Sequence, residues 1–578
     1  MRGAVYTTAM ADRLTRRRFL AASAAVTAAG ALAACRPAGA EAKTLTVMHL
    51  ADIHGKLRPH PELFYRSPDD ASNELKMVGG IAEIAAFVKK VRTEKGARSL
   101  LVYEGDTFHS SGLAVLSYGK GLLPAVNALG IDAYCPGNWD WAIAPPPAPA
   151  GEKAKRNVDM FLAVMAEMTP PVVGYNARPA GTPIGAPFPH PKTGEPILKP
   201  YVMKDAGGVK VGIIGLTSVK IPKEMAPAVS DGVAFEYLDT APVRINAFAK
   251  ELRDQGAQLV FLLSENGLNQ DVKLAGLLNG VDAIFGGETH ERTYKPVDVR
   301  GTLVLQSGSE GSTIGQLDIV VKDGGGIASY TWKLHDVVEG FIAPDPEMKK
   351  IIDAAYAPYP QLAAVIGKTT TPIMRNSVLE TSMDDLIADA IEEKTKADFA
   401  VSRGFRYAHP IAAGDITTDD LFEMFPVNPK IRTGKVSTAQ ILTRWEDALN
   451  RVFSDNAFEQ SGGWLDRPSA SLKAVIVSKA PNGERVQTMA IKGKTIYDRV
   501  KGGIVDPGPW TIAACAREGD PPNAVCFIQP VLEPKTLEAR SRDTIGAYIT
   551  AHSPVAPRIE GRVVATDLPK VLRTQFKG

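Results

Sequence analysis

Five apolar runs in this chain each stop at a small polar cluster, and that recurrence constrains the fold more than any other feature. "LTVMHLADIHG" ends in Asp52 and His54. "SLLVYEGDTFHSSG" ends in Asp106, "DAYCPGNWDW" in Asn138, "AQLVFLLSENG" in Glu265, and "VDAIFGGETHER" in Glu288 and His290. A sixth run, "VKVGIIGLTS", reads as one more strand. Between them lie segments of helical spacing, such as "GGIAEIAAFVKKVRTEKG" with basic residues near its end, and "LLPAVNALG". Strands alternating with helices predict an α/β domain whose ligands gather where the strands end.

A chain of 578 residues is too long for one core, so more than one domain is expected. The strand–helix alternation covers residues 44–345, and its last stretch, "TLVLQSGSEGSTIGQLDIVVKDGG", reads as antiparallel hairpins. A linker with a helix follows at 346–362. A second α/β or α+β unit spans 363–578, opening with the amphipathic "SMDDLIADAIEEKTKADFAVS" and carrying two glycine motifs, "SRGFRY" and "EQSGGW". The formal net charge of +2 gives no global basic field and no argument for a nucleic-acid partner.

Residues 1–43 read as an export signal. "TRRRFLAASAAVTAAGALAAC" has an arginine cluster, a weak Ala-rich apolar run and small residues, too short and too mild for a membrane span. Arg16 and Arg17 with Phe19 and Leu20 resemble a twin-arginine signal, and "LAAC" resembles a lipobox that would lipidate Cys35. Plain cleavage at Ala-x-Ala is the alternative. Either route places the mature chain in the periplasm, with a lipid anchor as its only membrane attachment. Cys515 and Cys526 flank a "REGDPPN" turn and are read either as a disulfide or as two buried thiols; Cys135 reads as a core thiol.

One Asp at a strand end usually caps a turn, and one His is usually a satisfied surface residue. Five such ends on one sheet edge are a different matter, because anions so gathered repel unless a cation sits between them. The pattern therefore predicts a metal centre. The order Asp-x-His, Gly-Asp, Gly-Asn and Gly-x-x-His resembles the calcineurin-like metallophosphoesterases. The whole chain resembles their two-domain 5′-nucleotidase superfamily and, within it, the SoxB-like thiosulfohydrolases. The resemblance rests on "HLADIHGKLRPH", "GGIAEIAAFV", "EGDTFHSSG", "SENG", "GGETHER", "SRGFRY" and "EQSGGW". It implies an N-terminal β-sandwich flanked by helices and a C-terminal 5′-nucleotidase-type α/β domain.

Carried over residue by residue, the resemblance implies two divalent ions. One would have Asp52, His54, bridging Asp106 and His290; the other Asp106, Asn138, Glu265 and Glu288. Asp106, Asn138 and His290 would carry the catalysis. The family usually has His where Glu265 and Glu288 stand, so the second set is oxygen-only. That suits Mn²⁺, with Mg²⁺ or Zn²⁺ as alternatives, unless the half-site is degenerate. The family's His after Asn, which assists the leaving group, is Trp139 here, as in SoxB-like members. Trp139 cannot give up a proton, which fits a persulfide leaving group better than an alkoxide. His109 is read either as a proton carrier or as a loop residue facing solvent. Arg403, Arg406, Gly462, Gly463 and Trp464 are the candidate substrate pocket, since arginine forks suit sulfonate or phosphate oxygens. The implied substrate is a cysteine S-sulfonate on a carrier protein, released as sulfate. The alternatives are a small phosphate ester, cleaved by a nucleotidase or phosphomonoesterase, and a degenerate paralogue that binds without turnover.

Overall fold

The five runs fold as strands because they are apolar without interruption, and a strand buried on both faces needs that pattern. The computed structural model describes residues 42–64, 74–144, 155–183, 186–375, 377–403, 405, 407–461, 465–568 and 575–576. The strands of the two large sheets of the first part, in chain order, are β1 (Thr44–Ala51), β2 (Ser99–Glu104), β3 (Ala133–Cys135), β4 (Tyr201–Asp205), β5 (Lys210–Leu216), β6 (Leu259–Ser264), β7 (Ala283–Gly286), β8 (Val297–Val299), β9 (Thr302–Gln306), β10 (Thr313–Val321) and β11 (Ile327–Asp336). One sheet runs β11-β10-β1-β2-β3 and the other β8-β9-β7-β6-β5-β4. Val47, Val102, Phe261, Phe285 and Leu317 belong to one core between the two sheets. Each such side chain removed from water contributes roughly 1.5–3 kcal/mol. The outer faces are covered by helices, including α1 (Ile81–Lys95) on the first sheet and α2 (Ala241–Asp254) on the second.

Parallel pairing is what aligns the site. β1 and β2 run parallel with Ala51 opposite Glu104, and β2 and β3 with Glu104 opposite Cys135. In the second sheet Ser264 of β6 lies opposite Leu216 of β5 and Gly286 of β7. Each sheet thus presents three strand ends in register. The expected hairpin across Gly308–Ser312 does not form. β9 joins the second sheet parallel to β7, whereas β10 pairs with β1 in the first. Both strands are almost wholly apolar on their inner faces, so each is buried in a different layer of the sandwich.

A helix at Pro346–Tyr356, capped by the Asp345 side chain, stands where the linker helix is expected. Beyond it a mixed sheet contains β12 (Phe399–Ser402), and a second five-stranded sheet follows. Cys515 and Cys526 are free thiols, and Cys135 is buried in the sandwich. Arg16, Arg17, Cys35, Arg406, Gly462, Gly463 and Trp464 lie outside the described residues.

Candidate metal centre

The three ends of the first sheet bring in Asp52 and His54, Asp106, and Asn138. The backbone there is specialised: Asp52 has φ 49° and His54 φ 47°, left-handed values that β-carbon sterics disfavour. Such conformations persist where surrounding structure enforces them, commonly at functional sites. Glu288 (φ 75°) and His290 (φ 64°) share the feature on the facing sheet. His54 Nε2 and His290 Nε2 face each other at 3.1 Å, and Asp52 Oδ1 lies 3.5 Å from His290 Nε2. One ligand atom from each of Asp52, His54 and His290 falls within 4.8 Å of the others, and all three residues are buried. A second set, Asp52, Asp106 and Glu265, meets the same limit.

Asp106 is held by the Trp139 main-chain N–H, which donates to its Oδ1 at 2.6 Å. Asp140 organises both loops. It accepts from Thr107 N–H (2.8 Å), Phe108 N–H (2.9 Å), Gly137 N–H (2.9 Å) and the Tyr134 hydroxyl (2.5 Å). At Gly137 an added Cβ would collide with the Asp106 carboxylate, so the close approach of the two loops requires glycine. Burial, with Asp140 and Asp52 beside it, pushes the Asp106 carboxyl well above the usual range. Burial, then Asp52 and Asp106, does the same to Glu265. Among the described residues neither Glu265 oxygen has a hydrogen-bond partner, nor does Asn138 Oδ1, although all three are buried. Crowded carboxylates and orphaned oxygens are the environment a divalent cation would relieve. The residues present therefore fit a metal: Asp52, His54 and His290 form one set, and Asp52, Asp106 and Glu265 the other, with Asp52 common to both.

Glu288 is engaged differently. Lys220 Nζ donates to its Oε2 at 2.7 Å, and both side chains are buried. Lys220 follows β5, the sixth strand end, in "GLTSVK". Reading that end by the rule applied to the other five would have found it. Tyr407 is a second residue that no local signal marks: its ring stacks on His54 at 4.4 Å. Tyr407 and Phe405 come from the loop after β12, and both pack edge-on against Trp139, at 5.3 and 5.2 Å. His109 does not face solvent. It is buried, stacked on Trp139 at 4.2 Å, with Nδ1 3.0 Å from Ser110 Oγ. Burial, with Lys56 nearby, lowers its imidazole to about 3, so it is neutral. Arg403, on the same loop as Phe405, lies over the Phe527 ring at 4.0 Å, which Arg444 and Arg517 also approach. Burial and Arg444 lower its guanidinium to about 10.

Residues 365–501 match the family described as 5′-nucleotidase, C-terminal domain. Across 93% of this chain and 99% of theirs, the coordinates superpose on the sulfate thiohydrolase SoxB of Thermus thermophilus, with a TM-score of 0.76 and 20% identity. The fold is that of the two-domain 5′-nucleotidases. A 5′-nucleotidase precursor, also from Thermus thermophilus, gives nearly the same agreement, with a TM-score of 0.75 at 21% identity over 91% of this chain and 100% of that one. Among curated proteins the 5′-nucleotidase-fold chain is 25% identical over 474 residues to the trifunctional nucleotide phosphoesterase YfkN of Bacillus subtilis, covering 76% of this chain and 30% of YfkN. It is 26% identical over 264 residues to a probable 5′-nucleotidase of Treponema pallidum, covering 45% of this chain and 39% of that protein. The chain spans less than half the length of the first curated relatives it matches.

Proposed function

We propose that this chain is a metal-dependent hydrolase of small oxyanion esters, and that its preferred bond is the sulfur–sulfur bond of an S-sulfonate. The observation that carries the hydrolase reading is the pair of imidazoles facing each other at 3.1 Å beside Asp52, buried at the ends of opposed sheets. A bound divalent ion would supply an activated water and a positive charge for the developing oxyanion. The chain's own residues do the rest. Asp106 is fixed by the Trp139 N–H, the buried Asn138 amide oxygen has no hydrogen-bond partner among the described residues, and the Phe405 and Tyr407 rings pack edge-on against Trp139.

The S-sulfonate preference rests on position 139. Neither Trp139 nor the neutral His109 stacked on it is a proton donor near neutral pH, which suits a leaving group that departs without one. The partner on this reading is a carrier protein with a cysteine S-sulfonate. The arginine cluster and lipobox of residues 1–43 support work in the periplasm, with Cys35 as an anchor. The second reading is a 5′-nucleotidase, favoured by the family match at 365–501. Assays of the Mn²⁺-loaded protein on S-sulfocysteine, AMP and p-nitrophenyl phosphate decide between them. Sulfate release faster than phosphate release is expected. AMP turned over fastest overturns the S-sulfonate preference, and no turnover of any of the three leaves the chain a binding paralogue.

A further inference from the structure

Lys220 is built into the centre rather than placed beside it. Its turn is stitched to the turn that carries Glu265: Val219 N–H donates to Asn266 Oδ1 at 3.1 Å, and Asn266 Nδ2 donates to the Leu216 carbonyl at 3.3 Å. Lys220 is 6% exposed and its partner Glu288 is 1% exposed, so water does not screen the pair. Glu288 is tied in turn to the first half-site, because its N–H donates to both Asp52 oxygens, at 3.2 and 3.1 Å.

We infer that Lys220 acts as a fixed counter-charge that weakens the second ion, so that the chain holds one divalent ion tightly and exchanges the other. This rests on the metallohydrolase reading above. Two effects of the same contact produce it. The ammonium occupies one of the two Glu288 oxygens, which removes a donor from the second half-site. It also offsets the charge of a carboxylate that acts electrostatically on both Asp106 and Glu265. The carboxyl groups of Asp52, Asp106, Glu265 and Glu288 interact with one another, and Lys220 is paired to one of them. A first divalent ion would offset part of that negative charge, and with the Glu288 charge already paired less is left to hold a second. An ion held by Asp52, His54 and His290 would have two imidazoles, whereas one held by Asp52, Asp106 and Glu265 would have oxygen donors alone, and such a seat favours Mn²⁺ over softer ions.

The test is metal counting by plasma mass spectrometry on the full chain after Mn²⁺ loading and desalting, together with Mn²⁺ titration of the EDTA-stripped protein. The wild-type protein is expected to keep one ion and to show a second phase at least about tenfold weaker, in the range by which partners of metal ligands shift affinity. Lys220→Met should keep two ions, and Lys220→Arg, which preserves the charge, should keep one. Two equally tight ions in the wild type overturn the inference, whether or not the Met variant folds. So does a Lys220→Met titration that matches the wild type. No bound ion in wild type and variants alike defeats the metallohydrolase reading itself.

Discussion

Each sheet of the sandwich brings one buried lysine to its strand ends, and the two are neutralised in opposite ways. Lys56, four residues past Asp52 on the first sheet, pairs with Glu423 of the C-terminal part, where His409 also engages the same carboxylate. Its charge is spent on joining two parts of the chain, and the ligands beside it stay available. Lys220, on the second sheet, pairs with Glu288, a residue of the centre itself. The first sheet also holds its ligands by main-chain donors, through Trp139 N–H and the Asp140 bonds, whereas both oxygens of Glu265 on the second have no partner among the described residues. Asp106 is preorganised by the protein, whereas Glu265 would be organised by whatever charge meets it.

The largest expected effect falls on the residue that the family resemblance makes the bridge between two ions. Asp106→Ala should lose both ions and at least about 10³-fold of turnover, because metal charge stabilisation is worth several kcal/mol. Turnover within tenfold of wild type would place the chemistry elsewhere. Lys56→Met sharpens the contrast with the Lys220 variant. Breaking a buried pair costs about 3–5 kcal/mol, so Lys56→Met should lower stability by that order in denaturant titration while metal count stays unchanged. A changed count would mean that the two lysines are not functionally distinct.

The smallest effect is on pH dependence. Burial alone would lower the His409 imidazole, but the Glu423 carboxylate against it outweighs burial and, with Asp420, raises it from 6.5 to about 10. A raised folded value means that the stability it contributes is fully present below 6.5 and is lost as pH rises through about 10. His409→Gln should flatten the fall in melting temperature over that range. An identical alkaline decline in both proteins would show that the Lys56–Glu423–His409 junction does not titrate as a unit.

The strand ends were legible in the sequence because burial on both faces demands unbroken apolar runs, and the residue that breaks each run marks where the sheet meets solvent or a ligand. The gathering of Asp52, His54, Asp106, Glu265 and His290 is what that rule expects. The role of Glu288 does not follow from it, since its partner depends on how the "GLTSVK" turn folds back across the sheet end. Tyr407 escaped for another reason. It is 353 residues from His54, and nothing local in "SRGFRY" says which ring it will cover. The crossing of β9 and β10 between sheets was hidden because two buried strands joined by a glycine-containing turn look the same whether or not they pair.

The Asp106 carboxylate is steadied by the amide of residue 139, and Asp140 gathers amides and a phenol; neither anchor uses the indole of Trp139. The side chain at 139 is therefore a replaceable fitting on a fixed mount. A change from a proton-donating group to an inert one there leaves these main-chain anchors in place. Selection on the leaving group and selection on the cradle then proceed on separate residues, which makes the substrate of such a scaffold easier to change than its cofactor.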